Sequence, residues 1–193
     1  MGFHSGDSGR LFFAAVPDAV TAARIYRLAT ALKRARRFDG KLVEQDRLHV
    51  TLFSLDLSEH AVRMASEAAA EVSALPFVVS FDRTASFRVR RGDRPFVLLG
   101  DEGLQGLTGF RQMLGAAMTR KGLRRRAAKD FTPHVTLLYD RREAEEQPIE
   151  PISWTVRDFV LVHSMQGHVH LARWPLGVAR RIPPLGTTDA IRS

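Results

Sequence analysis

Six apolar residues in a row, Leu11 to Val16, stop at Pro17 and read as a buried strand. Asp18 can cap a helix directly after it. The apolar stripe of that helix is Ala22, Ile25, Ala29 and Leu32, while Arg24, Arg27 and Arg34 fall on other faces. Leu48 to Leu55 predicts a second strand, and Ser58 opens a second helix with Val62, Ala65, Ala69 and Val72 at helical spacing. Three short strands are then predicted, at 77–81, 85–90 and 96–99.

The second half echoes the first. Leu107, Phe110, Leu114, Ala117 and Met118 make another helical stripe, a basic connector follows, and His134 to Tyr139 reads as a strand. The last strands are predicted at Val156 to His163 and His168 to Trp174, joined by a turn around Gln166 and Gly167. The acidic, proline-bounded stretch from Asp140 to Pro151 reads as a solvated loop, and the chain from Gly177 to Ser193 as an irregular tail. At 193 residues, these elements are expected to form a single domain over 1–193.

Composition narrows the chemistry. Apolar residues make up 45% and charged residues 26%, and no apolar run approaches the roughly 18 residues of a membrane helix. Cysteine is absent, which excludes a disulfide framework, a thiolate zinc site, an iron–sulfur cluster and a cysteine nucleophile. The N-terminal stretch lacks the form of a signal peptide, so a cytoplasmic location is expected. The net charge of +8, from 29 Lys and Arg against 21 Asp and Glu, suits a polyanionic partner without identifying one.

One tetrapeptide recurs letter for letter. His49-Val50-Thr51-Leu52 returns as His134-Val135-Thr136-Leu137, each copy after an amphipathic helix and inside a strand-like run. Strand side chains alternate, so His49 and Thr51 share one face while Val50 and Leu52 anchor the other, and the second copy behaves alike. Each copy holds an imidazole and a hydroxyl about 7 Å apart on a rigid platform. If the halves pack as a pseudo-symmetric pair, two imidazoles and two hydroxyls converge across a cleft. One ring can then take a proton from a nucleophile while the other gives one to a leaving oxygen, and the hydroxyls can donate to phosphate oxygens. No metal and no cofactor is needed for that chemistry. Arg120, Lys121, Arg124, Arg125, Arg126 and Lys129, just before the second copy, can hold or steer an anion.

At these residues the chain resembles the 2H phosphoesterase superfamily, and within it the RNA 2',3'-cyclic phosphodiesterases once called 2'-5' RNA ligases. The resemblance rests on Arg10-Leu11-Phe12-Phe13-Ala14, on Leu48 to Leu52, on Phe131 to Leu137, and on the closing strands near Trp174-Pro175-Leu176. It implies an α+β, bilobal, pseudo-symmetric fold with two antiparallel sheets lining a central cleft and helices outside. It also implies metal-independent hydrolysis of RNA 2',3'-cyclic phosphate ends to 2'-phosphate ends. His49 would be the proton donor, His134 the acceptor, and Thr51 and Thr136 the phosphate-binding hydroxyls. In one respect the chain departs from its relatives. Many of them carry an arginine three residues after the second threonine, where this chain has Tyr139. Tyr139, Arg124, Arg125 and Arg126 are therefore candidate substrate contacts, and Arg141, Arg88 or Arg90 can supply the missing charge.

The expected partners are RNA ends or small nucleotides carrying a cyclic phosphate, with no membrane, and the chain is expected to act as a monomer. A small cyclic nucleotide or a 2'-5' linked oligonucleotide is the alternative substrate, and a non-catalytic RNA- or nucleotide-binding module the alternative class. His163, His168 and His170 can in principle chelate a metal, but surface or structural roles fit them better. Trp154, Trp174 and Phe87 read as core, with base stacking by Phe87 as the competing reading.

Overall fold

A short polar side chain starts each of the first two helices in the computed structural model, which describes residues 9–123, 131–165 and 167–177. Asp18 accepts from the backbone amide of Thr21 at 2.9 Å and from its hydroxyl at 2.8 Å, opening α1 (Ala19–Ala35). Ser58 accepts from the Ala61 amide at 3.0 Å and opens α2 (Glu59–Glu71). The third helix, α3 (Gln105–Arg120), instead grows out of a 3-10 turn at Glu102–Leu104. Its buried face includes Leu107, Phe110, Leu114, Ala117 and Met118, the stripe read from the sequence.

Eight strands complete the fold: β1 (Arg10–Ala15), β2 (Val50–Leu55), β3 (Phe77–Ser86), β4 (Arg94–Leu99), β5 (Val135–Asp140), β6 (Gln147–Val156), β7 (Asp158–Ser164) and β8 (His168–Pro175). They pair antiparallel in the order β6-β3-β4-β5-β2-β1-β7-β8. The units β1-α1-β2 and β4-α3-β5 are two copies of one strand–helix–strand arrangement. In each, the last strand follows a copy of the tetrapeptide's histidine, and those two strands meet at the middle of the sheet.

The fold is α+β with two lobes of four strands, but the lobes are not separate sheets. One residue pair, Val50 with Val135, joins them into a single ladder. Beyond that pair, the edge of β5 is met by the segment before β2, through the bridge of Leu42 with Leu138 and the Val43 amide donating to the Leu137 carbonyl at 2.8 Å. The main core lies on the helix side of the sheet, where Leu11, Phe13, Leu52, Leu137 and Phe159 pack. A smaller cluster of Phe12, Ala14, Val160 and Val162 covers the opposite face.

Two expectations fail, one at a bulge in β3 and one at the edge strand β6. The strands predicted at 77–81 and 85–90 are one strand, β3, with a bulge between Phe81 and Arg83, and residues 87–90 lie outside it. Asp82 and Arg83 read as a break because Arg83 is polar for a local purpose, pairing with Asp101 at 2.7 Å and Glu146 at 3.2 Å. The supposed loop from Asp140 to Pro151 enters β6 at Gln147. An edge strand tolerates Pro148, Glu150 and Pro151 because one side of its backbone needs no partner. Among the described residues no helix is long and apolar enough to cross a membrane.

Candidate active site

Val50 and Val135 are fully buried on the helix side, so the residues flanking each must point to the opposite face. The antiparallel register that pairs them sets His49 across from Thr136, and Thr51 across from His134. The imidazoles therefore occupy two diagonal corners and the hydroxyls the other two. Two groups that act on opposite sides of one phosphorus atom need such a diagonal arrangement.

Each ring is oriented by the backbone two residues before it. Nδ1–H of His49 donates to the Arg47 carbonyl at 2.8 Å, and Nδ1–H of His134 donates to the Thr132 carbonyl at 2.8 Å. A carbonyl oxygen can only accept, so Nδ1 carries the proton in both rings and Nε2 is left to act as a base. The Thr51 hydroxyl lies 3.1 Å from Nε2 of His49 and donates to it. The side chains thus lean together, closer than the spacing along the strand suggests. Phe12 stacks on His49 at 4.9 Å between centroids, and His168 meets the His49 ring edge-on at 5.1 Å. Phe87 meets His134 edge-on at 4.8 Å.

Burial pulls the His49 imidazole down to about 4; the hydrogen bond to the Arg47 carbonyl opposes the shift, and His168, His134 and Arg10 add to it. His134 is lowered by burial, against the hydrogen bond to the Thr132 carbonyl. Both shifts favour the neutral rings at pH 7.

Two hollows open around these groups. One, of about 370 Å³, is lined by His49, Thr51, His134, Thr136 and Tyr139. The other, of about 790 Å³, shares Arg10, Thr51 and His134 and adds Phe53, Phe87, Phe131 and Arg111. Both volumes suit a small ligand. The Arg111 guanidinium stands 4.4 Å from the Phe53 ring centroid and 4.0 Å from that of Phe131, and its Nε donates to the Leu52 carbonyl at 2.9 Å.

The four motif residues come together as the repeat predicts, and Tyr139 stands half-exposed at the rim of the smaller hollow. Arg124, Arg125 and Arg126 lie outside the described residues. Of the other arginines considered, Arg88 borders the larger hollow but pairs with Glu143 at 3.5 Å, Arg141 pairs with Asp93 at 3.6 Å, and Arg90 borders neither. Trp154 and Trp174 are packing residues, Trp154 stacked on Phe81 and Trp174 on Phe159. Phe87, read as core, is a half-buried wall of the larger hollow.

Sequence reasoning missed Arg10, Arg47 and His168, all of which border the smaller hollow. Arg10 had a signal, since it alternates with Phe12 on the face of β1 opposite Leu11 and Phe13. His168 had none, because nothing in the sequence places β8 against His49. His170 opens onto a different depression and His163 is buried. Among the described residues no three His, Asp or Glu side chains gather as metal ligands.

A family model described as the 2'-5' RNA ligase superfamily matches residues 17–168. Among solved structures, one described as a phosphoesterase is 29% identical with a TM-score of 0.68, the match covering 86% of this chain and 98% of that one. Escherichia coli LigT complexed with 3'-AMP is 29% identical with a TM-score of 0.68, over 88% of this chain and 98% of LigT. LigT complexed with ATP matches at 27% identity and a TM-score of 0.65, over 86% and 97%. No curated protein matches the chain in sequence.

Proposed function

Since the chain belongs to the 2'-5' RNA ligase superfamily of 2H phosphoesterases, we propose that it hydrolyses 2',3'-cyclic phosphate ends of RNA to 2'-phosphate ends. The observation that carries this reading is the diagonal pair of imidazoles, each with its tautomer set by a backbone carbonyl and its Nε2 left without a proton, that of His49 accepting from the Thr51 hydroxyl. In the proposed reaction His134 takes a proton from water, and the water oxygen bonds to phosphorus in line with the 3'-oxygen. The bond from phosphorus to the 3'-oxygen breaks, and that oxygen receives a proton from His49. An anionic phosphate beside His49 favours its protonated form, which the empty hollow disfavours. Once His49 is protonated, the Thr51 hydroxyl no longer donates to it and turns, with Thr136, to the non-bridging oxygens.

A small cyclic nucleotide is the second reading, supported by the modest volume of the hollow that holds both motifs and by the mononucleotide in the LigT complex. The test is a panel of cyclic-phosphate-ended RNA, a 2',3'-cyclic mononucleotide and a 2'-5' dinucleotide, each incubated with EDTA. The expected result is turnover of the cyclic ends to 2'-phosphate with chelator present. Loss of activity in EDTA, restored by a divalent ion, would contradict the two-imidazole reaction.

The pH profile gives a further expectation. Productive protein needs one ring neutral and one protonated, and kcat/KM reports the free protein. Both rings titrate below the ordinary 6.5, with His49 at about 4. The singly protonated protein is therefore most populated on the acid side of 6.5, and kcat/KM should be bell-shaped with its maximum there. A maximum above pH 7.5 would show that these rings are not the groups that titrate.

A further inference from the structure

The strand order places His134 on one flank of His49, toward β5, and places β1, β7 and β8 on the other. On that second flank three basic side chains from three elements approach one another: Arg10 from β1, Arg47 from the 3-10 turn at Gln45–Arg47, and His168 from β8. Three strand spacings separate β2 from β8, about 14 Å at the backbone. The rings of His49 and His168 nevertheless come within 5.1 Å, with Phe12 touching both.

The charges here do not balance. Lys41 and Glu44 also border the hollow, and they pair with each other at 3.8 Å. Arg10 and Arg47 make no ion pair with any described residue, and Nε of Arg47 is buried without a hydrogen-bond partner. Asp46, beside Arg47 in sequence, opens onto a different depression and makes no ion pair with either guanidinium, although its charge still acts on the His168 ring. Several other arginines are neutralised at short range, as at Arg83, Arg94 and Arg173. Two guanidiniums left uncompensated beside a hollow are the arrangement of an anion site. The single charge of a phosphodiester neutralises only one of them.

Building on the reading above, we propose that Arg10, Arg47 and His168 form a second anion subsite beside the reacting phosphate. The cleft then prefers a nucleotide end carrying two phosphates over one carrying a single phosphate. The second group is either a terminal 5'-phosphate or the next phosphodiester of an RNA chain; both present anionic oxygens to the same donors. Arg47 has a further consequence, because its carbonyl orients His49 while its side chain meets the second phosphate.

The test is calorimetric titration of the full chain with three stable probes. These are a nucleoside 3'-monophosphate, a nucleoside 3',5'-bisphosphate and a dinucleotide with a 3'-phosphate. The bisphosphate and the dinucleotide should each bind about tenfold or more tightly than the monophosphate, the scale of one charge-assisted contact. Arg47→Met and Arg10→Met should each draw those affinity ratios toward one. The ratio is the readout, so a loss shared by all probes cancels. Arg10 is exposed, so its variant keeps the test valid if Arg47→Met fails to fold. A gain confined to one two-phosphate probe still supports the subsite and identifies the source of its second phosphate. Equal binding of all three probes, or a preference that survives both substitutions, would overturn the proposal. Titration needs no turnover: a failed titration beside intact hydrolysis removes the subsite alone, and a passed one without hydrolysis removes the proposed reaction alone.

Discussion

Alanine at His134 or His49 is expected to lower kcat about 10²- to 10⁴-fold, the range set by loss of a positioned acid or base. Binding should largely persist, because the Thr51 and Thr136 hydroxyls and the guanidiniums of the cleft remain. Folding should persist as well. Both rings face the cleft, and the residues that anchor their strands, Val50, Leu52, Val135 and Leu137, pack on the other side of the sheet. His49→Ala carries an internal control. Its ring titrates near 4 when folded and near 6.5 when unfolded, so the unfolded chain takes up the proton first as pH falls. Stability from this group is full above 6.5 and lost as pH falls toward 4, and His49→Ala should lose less stability over that window. Denaturant midpoints at pH 7 and pH 5 measure this, with steady-state kinetics beside them. A kcat within threefold of wild type for either alanine variant would remove that ring from the reaction.

Phe159→Ala is expected to produce the largest loss of stability, about 3 to 5 kcal/mol, with a fall in Tm on the order of 10 °C. Phe159 is fully buried and its ring contacts Phe13 at 5.9 Å, Trp174 at 5.4 Å and Phe110 at 4.9 Å. Phe13 and Trp174 belong to the lobe of β2, β1, β7 and β8, whereas Phe110 is on α3, in the unit that carries His134. Truncation therefore opens a cavity where the two units meet, on the far side of the sheet from the cleft. That seam also matters to function, since only one residue pair joins β2 to β5. Unfolding in guanidinium checks the magnitude, and a loss under about 1 kcal/mol would mean that the core closes over the gap.

How far the sequence reached depends on the kind of signal involved. Asp18 and Ser58 are capping residues before amphipathic stripes, so two helices were legible from local chemistry alone. The repeated tetrapeptide made the centre of the cleft legible, because strand alternation fixes which side chains share a face. The edge strand β6 was hidden by Glu150 and Pro151, which its open side tolerates, and the bulge in β3 was hidden by Arg83. The link between the lobes was hidden for a different reason, since a single bridge between Val50 and Val135 leaves no pattern in either segment. His168 is the clearest loss. Its place beside His49 depends on the order of four strands, which no local periodicity encodes.

The central claim is that two imidazoles divide the proton transfers, His134 accepting and His49 donating. It is tested most directly by kcat/KM of the wild type and both alanine variants on two phosphodiesters, one with an alkoxide and one with a nitrophenolate leaving group. Nitrophenolate departs without a proton, so His49→Ala should recover most of its lost rate on that substrate while His134→Ala stays impaired. Recovery by His134→Ala alone would reverse the roles, and recovery by neither variant would contradict proton transfer by the pair.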